Sequence, residues 1–361
     1  MLGLYLHIPF CVSKCFYCDF ASYPGKTALI TPYLKALEAE AELYNLKNKP
    51  ETVYVGGGTP SFLNEEQIKT LLDFINAKYG GSFKEFTFEC NPESLNEDKL
   101  KILKDGGVTR ISLGLQSFND EELKLIGRAH DAASFLKAYR LAVKYFDNIN
   151  IDLIAALPGQ TTDSFLTGLE KVLFLKPEHI SLYGLQVEEG TPLFRQGYSY
   201  DDAFYVDLLE SAYKVLTSRG FEQYEISNYA RPGRESMHNI NYWLGGEYLG
   251  LGAAAGGYLG GERYGNVTGV EEYISSVNKG KRPFAFKETL CGKAKIGEKI
   301  MTAFRYLKGF KPDLQMLEYF GGDFKELLES GLIENDGENL KLSAKGKYFA
   351  NQVFSHFVEP F

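Results

Sequence analysis

Cys11, Cys15 and Cys18 fall within eight residues of the run HIPFCVSKCFYCDF, a C-x3-C-x2-C spacing that puts three thiols on one short loop. Three thiolates so close can wrap one compact metal centre, but they cannot complete a four-cysteine zinc site. A [4Fe-4S] cluster held by three cysteines keeps one iron open to a ligand from outside the chain. Three ordinary buried or redox-active cysteines are the alternative. Farther along, Val55-Gly56-Gly57-Gly58-Thr59-Pro60 is a glycine run that lets backbone approach a ligand closely and leaves its N–H and C=O groups unhindered. Polar residues then recur beside apolar ones in Phe88-Glu89-Cys90-Asn91-Pro92-Glu93, in Gly114-Leu115-Gln116-Ser117-Phe118, and at Asp152 ahead of Leu157-Pro158-Gly159-Gln160-Thr161.

Chemistry at these points needs elements that aim the side chains at one place. Strand-like segments occur at Leu4–Ile8, Thr52–Val55, Glu85–Glu89, Arg110–Leu115, Ile149–Ala155 and His179–Tyr183, with amphipathic helices between them. Thr31-Pro32 reads as a helix start, Asn64 with Gln67 and Asn119 with Glu122 as capping boxes, and Asp105-Gly106-Gly107 as a helix end. Six β-then-α units give a parallel sheet with right-handed crossovers. The fold class is therefore α/β, a partial (β/α)6 barrel of TIM type, in which ligands gather at the carboxyl ends of the strands. Each motif above sits at such an end. Beyond residue 290 the pattern becomes helices over Ile296–Tyr306, Asp313–Tyr319 and Phe324–Ser330, a hairpin signal at Glu334-Asn335-Asp336-Gly337, and a last helix from Ala344. That is a winged-helix-like α+β module. The expected division is 1–200 barrel, 201–290 extension and 291–361 C-terminal module.

Bulk properties exclude several function classes. The 361 residues are 44% hydrophobic and 24% charged, as in an ordinary globular protein. A net charge of -8 opposes a nucleic-acid or anionic-membrane surface. Residues 291–361 carry ten Lys or Arg against ten Asp or Glu, so the winged-helix pattern brings no basic field and no nucleic acid is expected as partner. No apolar run approaches the roughly 20 residues of a membrane span, and no signal peptide precedes the cysteines. Five cysteines, three of them clustered, suit a reducing cytoplasm rather than a disulfide framework. Cys90 and Cys291 read as small buried hydrophobes.

Taken in order, YLHIPFCVSKCFYCDF, GGGTPSFL, FECNPES, SLGLQSF, IGRAH and DLIAALPGQT resemble the radical S-adenosylmethionine (SAM) superfamily and, within it, the coproporphyrinogen III dehydrogenase-like (HemN/HemW) family. The resemblance spans nearly the whole chain. It implies a [4Fe-4S] cluster on Cys11, Cys15 and Cys18. SAM would lie against Tyr5, Gly57, Gly58, Thr59, Glu89, Gln116, Arg128, Asp152 and Gln186. Two branches are distinguished within the family. Members that oxidise coproporphyrinogen III carry a fourth cysteine two residues after the third, where this chain has Cys18-Asp19-Phe20, and they carry an N-terminal extension for which this chain has no room. His238-Asn239-Ile240-Asn241-Tyr242-Trp243 matches the HNxxYW motif of the haem-chaperone branch. The resemblance thus implies haem as a ligand, with His238 on the iron and Tyr242 and Trp243 against the porphyrin. Haem-accepting proteins, including membrane-associated ones, would be its partners, and a homodimer is compatible with it. Oxygen-independent coproporphyrinogen oxidation is the alternative activity. An exposed imidazole is expected at His238. The stretch Gly245–Gly265 is expected to be a mobile glycine-rich loop over a planar ligand. It departs from the family in reading Ala254-Ala255-Gly256-Gly257 where Gly-Ala-His-Ser is common. His7 and His130 read as packing or hydrogen-bonding residues, and His179 and His356 as structural.

Overall fold

A computed structural model describes residues 1–358. The six anticipated strands are present as β1 (Leu2–Ile8), β2 (Thr52–Gly57), β3 (Glu85–Cys90), β4 (Arg110–Gln116), β5 (Ile149–Ala155) and β6 (His179–Gly184), paired in parallel in that order. On their outer face Leu4, Leu6, Val53, Val55, Phe86, Phe88, Ile111, Leu113, Ile149, Ile151, Ile180 and Leu182 are buried beneath the crossover helices. Each such side chain contributes about 1.5–3 kcal/mol of burial. The alternate residues face inward and are polar: Thr52 and Tyr54, then Glu85, Thr87 and Glu89, Arg110 and Ser112, Asn150 and Asp152, His179 and Ser181. Two-residue periodicity with a polar inner row is what makes this sheet a lined barrel wall rather than a dry layer.

Helix starts follow local chemistry with two corrections. Asn64 accepts from Gln67 N at 2.9 Å while Gln67 Oε1 accepts from Asn64 N at 3.0 Å, so that capping box is complete. At Asn119 the expected box does not form: Asn119 Oδ1 accepts from Glu121 N at 3.0 Å, and Asn119 N donates to Ser117 Oγ at 3.0 Å. Glu122 instead turns inward, accepting from Ser117 Oγ at 2.6 Å, Gln160 Nε2 at 2.9 Å and Ser164 Oγ at 2.7 Å. Thr31 is not a cap, because a 3-10 turn at Thr27–Leu29 runs straight into the helix Ile30–Glu42.

The sheet continues beyond the barrel strands on both sides. β7 (Glu222–Gln223) and β8 (Asn228–Ala230) extend the β6 edge. β9 (Glu247–Leu251) lies parallel to β1, followed outward by β10 (Gly256–Leu259), β11 (Glu262–Asn266) and β12 (Phe284–Glu288). The stretch expected to be a mobile loop is therefore largely strand. Its glycines answer to crowding: a Cβ on Gly250 would strike the Gly256 carbonyl, one on Gly257 the Tyr264 ring, and one on Gly265 the Phe286 ring. A separate small core holds the C-terminal residues, with Ile300, Phe304, Phe320, Phe324, Leu327, Val353 and Phe357 at its centre. There the helix Leu314–Glu329 runs unbroken through Gly321-Gly322 where two helices were expected, and the hairpin forms as Ile333–Asn335 with Leu340–Leu342. The final helix starts later than expected, at Ala350. Among the described residues no helix is long and apolar enough to cross a membrane.

Candidate cluster and cofactor site

β1 delivers the chain to the cysteine loop, and that loop is tied down by backbone. Phe10 and Cys11 pair with Tyr23 and Pro24, Phe16 N donates to Ile126 O at 2.9 Å, and Leu193 N donates to Phe16 O at 3.0 Å. Polar groups from neighbouring strand ends then reach the thiols. Thr59 Oγ1 donates to Cys11 Sγ at 3.3 Å, and Arg128 Nη1 donates to Cys15 Sγ at 3.5 Å. Asn91 joins the two by donating to Thr59 Oγ1 at 3.0 Å and accepting from Arg128 Nη2 at 3.0 Å. Arg128 Nη2 also donates to Gly114 O at 2.9 Å. Below this, Lys99 Nζ donates to Ser61 O and Ser94 O, pinning the loop after Pro60 to the one after β3.

Burial pushes the thiols of Cys11 and Cys18 up, with hydrogen bonding from Thr59 at Cys11 and the Phe20 backbone at Cys18 opposing it. Burial also works against the charge on Arg128, but Tyr17, Cys15 and Glu93 outweigh it and hold the guanidinium protonated. Arg128 Nε is buried without a hydrogen-bond partner, and the buried Glu93 Oε2 faces His130 Nδ1 at 3.4 Å. A fixed cation beside three thiols suits a thiolate-bound, net-negative iron–sulfur cluster. Among the described residues no three His, Cys, Asp or Glu close round a single metal ion.

The residues expected to meet SAM lie on the inner wall and rim of the same barrel end. Glu89 Oε1 accepts from Tyr54 OH at 2.7 Å and Oε2 from Gly57 N at 3.1 Å. Burial inside the barrel pushes its carboxyl up to about 7, with the Tyr54 hydrogen bond opposing. Asp152, raised by burial, accepts from Ser112 Oγ at 2.9 Å and Asn150 Nδ2 at 2.7 Å. Tyr5 OH donates to His7 Nδ1 at 2.9 Å, and His7 Nε2 donates to Ala21 O at 2.9 Å, so His7 is a hydrogen-bonding residue of the cysteine loop as anticipated. Gln116 takes a left-handed φ of 70° where the β4–β5 register shifts, and Ala156 and Ala254 take φ 63°, the one directly after β5 and the other in the turn between β9 and β10. Backbone strain of this kind concentrates at functional sites. Gln186 is exposed in the segment that follows β6. Asn91 and Lys99 carry the network without having been singled out from sequence. For Asn91 the signal was present in the Asn-Pro-Glu-Ser turn, whose first side chain bonds Thr59 and Arg128, the two residues that reach the thiols.

His130 donates from Nε2 to Leu115 O at 3.2 Å, with Nδ1 3.4 Å from Glu93 Oε2. His179 is wholly buried between Asn150 Oδ1 and Tyr224 OH, and His356 faces Asp323 at 3.2 Å. Cys90 is buried as expected, whereas Cys291 is exposed.

His238, Tyr242 and Trp243 are not gathered with this site. Their helix, Met237–Trp243, plugs the other end of the barrel, at the first residues of β2 and β3. Glu85 holds its N-terminus by accepting from Ser236 Oγ at 3.0 Å, Met237 N at 2.7 Å and His238 N at 3.3 Å. The exposed imidazole anticipated at His238 is instead completely buried. Its Nδ1 is 2.9 Å from Thr52 Oγ1 and its Nε2 is 2.6 Å from Tyr242 OH, so both ring nitrogens are engaged. Burial, with Arg110 nearby, drives its pKa down to about 3 and keeps the ring neutral.

Residues 5–172 match the model of the radical SAM superfamily. The chain is 38% identical to the haem chaperone HemW of Lactococcus lactis, over 98% of this chain and 96% of that protein. It is 36% identical to the haem chaperone HemW of Bacillus subtilis, over 99% of each. Among solved structures, coproporphyrinogen III oxidase (HemN) from Escherichia coli superposes over 100% of this chain and 90% of its own, with a TM-score of 0.87 at 24% identity. That match establishes a shared fold.

Proposed function

This chain belongs to the HemW family of the radical SAM superfamily, and on that premise we propose that it is a haem chaperone, which binds haem and a [4Fe-4S] cluster with SAM and delivers the haem to an acceptor protein. Full-length similarity to proteins named for that role supports the reading. At the cofactor site the supporting observation is that Thr59 and Arg128, joined through Asn91, donate to the sulfurs of Cys11 and Cys15. Cys11, Cys15 and Cys18 would hold the cluster. Tyr5, Gly57, Gly58, Thr59, Glu89, Gln116, Arg128, Asp152 and Gln186 would surround SAM. Cluster and SAM together supply one-electron chemistry at the sulfonium when bound. This chain's own residues set charge and access around it: Arg128 donates to Cys15 and would suit a ligand carboxylate, while Glu89 and Asp152 would offer negative charge to ammonium, sulfonium or ribose groups.

The haem half of the reading draws on family membership. In the geometry described, iron ligation by His238 would require its ring to give up both hydrogen bonds and the helix Met237–Trp243 to leave the barrel end. The chaperone would work in the cytoplasm, as a monomer or homodimer, on acceptors that include membrane-associated haem proteins.

An anaerobic haem titration of the cluster-reconstituted protein, with the Soret band as readout, tests the proposal alongside product analysis on coproporphyrinogen III. Stoichiometric haem binding without decarboxylation is expected. Formation of vinyl groups on coproporphyrinogen III would replace the chaperone reading with the oxidase one. The same titration on His238→Ala decides whether His238 reaches iron.

A further inference from the structure

Tyr54 lies on the inner face of β2, midway between the two ends of the barrel. Above it, its hydroxyl donates to Glu89 Oε1 at 2.7 Å. Below it, the His238 ring stands 5.4 Å away, centroid to centroid, at an angle of 34°. The surroundings are shaped for this column. A Cβ on Gly56 would come within 2.9 Å of both the Glu89 carboxyl carbon and the Tyr54 ring, so the first glycine of the GGGTP run makes room for that pair. A Cβ on Gly3 would come within 3.1 Å of His238 Cε1, so that glycine lets the imidazole enter. Thr52 and Tyr242 then fix the imidazole from its two nitrogens. The HNxxYW helix and the carboxylate at the cofactor end are thus joined by one ring.

We infer that Tyr54 is a positioning residue that orients Glu89 toward SAM, and that the buried His238–Tyr242 pair is the brace that holds Tyr54 in place from the opposite end of the barrel. The inference rests on the reading of Glu89 as a SAM contact. The Tyr54 hydroxyl matters through its bond to the carboxylate, since a phenylalanine would fill the same space. The donor favours the ionised carboxylate over the neutral acid. The titratable and charged groups around Glu89 are Tyr54 from β2, Tyr5 and His7 from β1, Cys90 beside it on β3, Arg110 from β4, Asp152 from β5 and Tyr183 from β6. Of these, Asp152 raises and Arg110 lowers the carboxyl, while Tyr54 bonds it directly.

The test is SAM affinity of the cluster-reconstituted protein, read as the SAM-induced change in the electron paramagnetic resonance signal of the reduced cluster, from pH 6 to pH 9. In the wild type, affinity falls as pH drops through about 7, where Glu89 takes up a proton. Tyr54→Phe weakens SAM binding about tenfold, the worth of one hydrogen bond to a charged group, and moves the midpoint up by about one pH unit. Tyr242→Phe, which frees one imidazole nitrogen, shifts both in the same direction by a smaller amount. Wild-type affinity and midpoint in Tyr54→Phe would overturn the inference. An effect in Tyr54→Phe with none in Tyr242→Phe would overturn the brace. Glu89→Gln separates the underlying reading: SAM binding indifferent to that change would remove Glu89 from the SAM site altogether.

Discussion

A Cβ on Gly58 would lie 2.9 Å from the Cys11 sulfur and 2.9 Å from the Phe10 carbonyl oxygen, so the third glycine of the run is the place where backbone makes way for a thiol. Gly57 has a different duty, donating its N–H to Glu89 from a backbone at φ 116°. Gly58→Ala should therefore displace Cys11 while leaving the sheet intact. Iron content after reconstitution is expected to fall well below wild type with an unchanged far-ultraviolet circular dichroism spectrum; full iron loading would show that the thiol does not depend on that gap. Arg128 permits a second test, because its guanidinium donates to Asn91, Gly114 and Cys15 at once and a lysine cannot reproduce that fork. Arg128→Lys should weaken SAM binding by roughly 10- to 100-fold, measured by equilibrium dialysis, since about 1.5–3 kcal/mol is lost with a charge-assisted bond. The thiols and the glycine run were legible in the sequence because their types announce chemistry, and Arg128 only through the family motif IGRAH. Tyr54 and Lys99 were not, because a tyrosine in a strand and a lysine in a helix read as ordinary packing and solvated charge until their partners are known.

At the scale of elements, the barrel strands could be located from their apolar residues, but the meaning of their polar residues could not. In Glu85-Phe86-Thr87-Phe88-Glu89 the alternation is the pattern of a strand with one wet face. Here the polar face lines the barrel and binds a helix end at one extreme and a ligand wall at the other. The β9–β11 strands escaped notice for the opposite reason, since glycines demanded by close packing look like a flexible loop. That region is latched to the helix Ile30–Glu42 by a buried carboxylate: Glu40 accepts from Tyr273 OH at 2.6 Å, Gly252 N at 2.8 Å and Asn266 Nδ2 at 2.8 Å. Burial raises Glu40 from 4.5 to about 7. In the unfolded chain it ionises near the ordinary value, so between the two the folded state holds an extra proton. Its contribution to stability is thus full at low pH and is lost as pH rises through about 7. Glu40→Gln, which cannot ionise, should lower Tm more at pH 5 than at pH 8, the difference being on the order of 3 kcal/mol across the window. A Tm deficit independent of pH would mean that Glu40 stays ionised in the fold.

At the scale of the whole molecule, the helix Met237–Trp243 is where the barrel meets the C-terminal module. Its His238 and Tyr242 face the barrel, and its Trp243 lies under the guanidinium of Arg305, 4.7 Å from ring to carbon, with Phe354 at 5.4 Å on the same cation. Around that contact Leu307 N donates to Tyr224 O at 3.0 Å, and Lys347 Nζ donates to Gln223 Oε1 at 2.9 Å. Glu225, buried and raised to about 7, is the carboxylate that favours charge on Arg305, whose own pKa burial lowers. Removing the cation costs the stacking, about 2 kcal/mol for a desolvated pair, and leaves Glu225 without its partner. Trp243 is the chain's single tryptophan, so its emission reports this junction alone. Arg305→Ala should red-shift that emission and lower Tm. Because Glu225 then has no compensating charge, the Tm deficit should grow as pH rises through 7, where the wild type can ionise against Arg305 and the variant cannot. A variant whose emission and Tm match the wild type at both pH 6 and pH 8 would show that the module is held by its backbone contacts, and that the HNxxYW helix communicates with the barrel only.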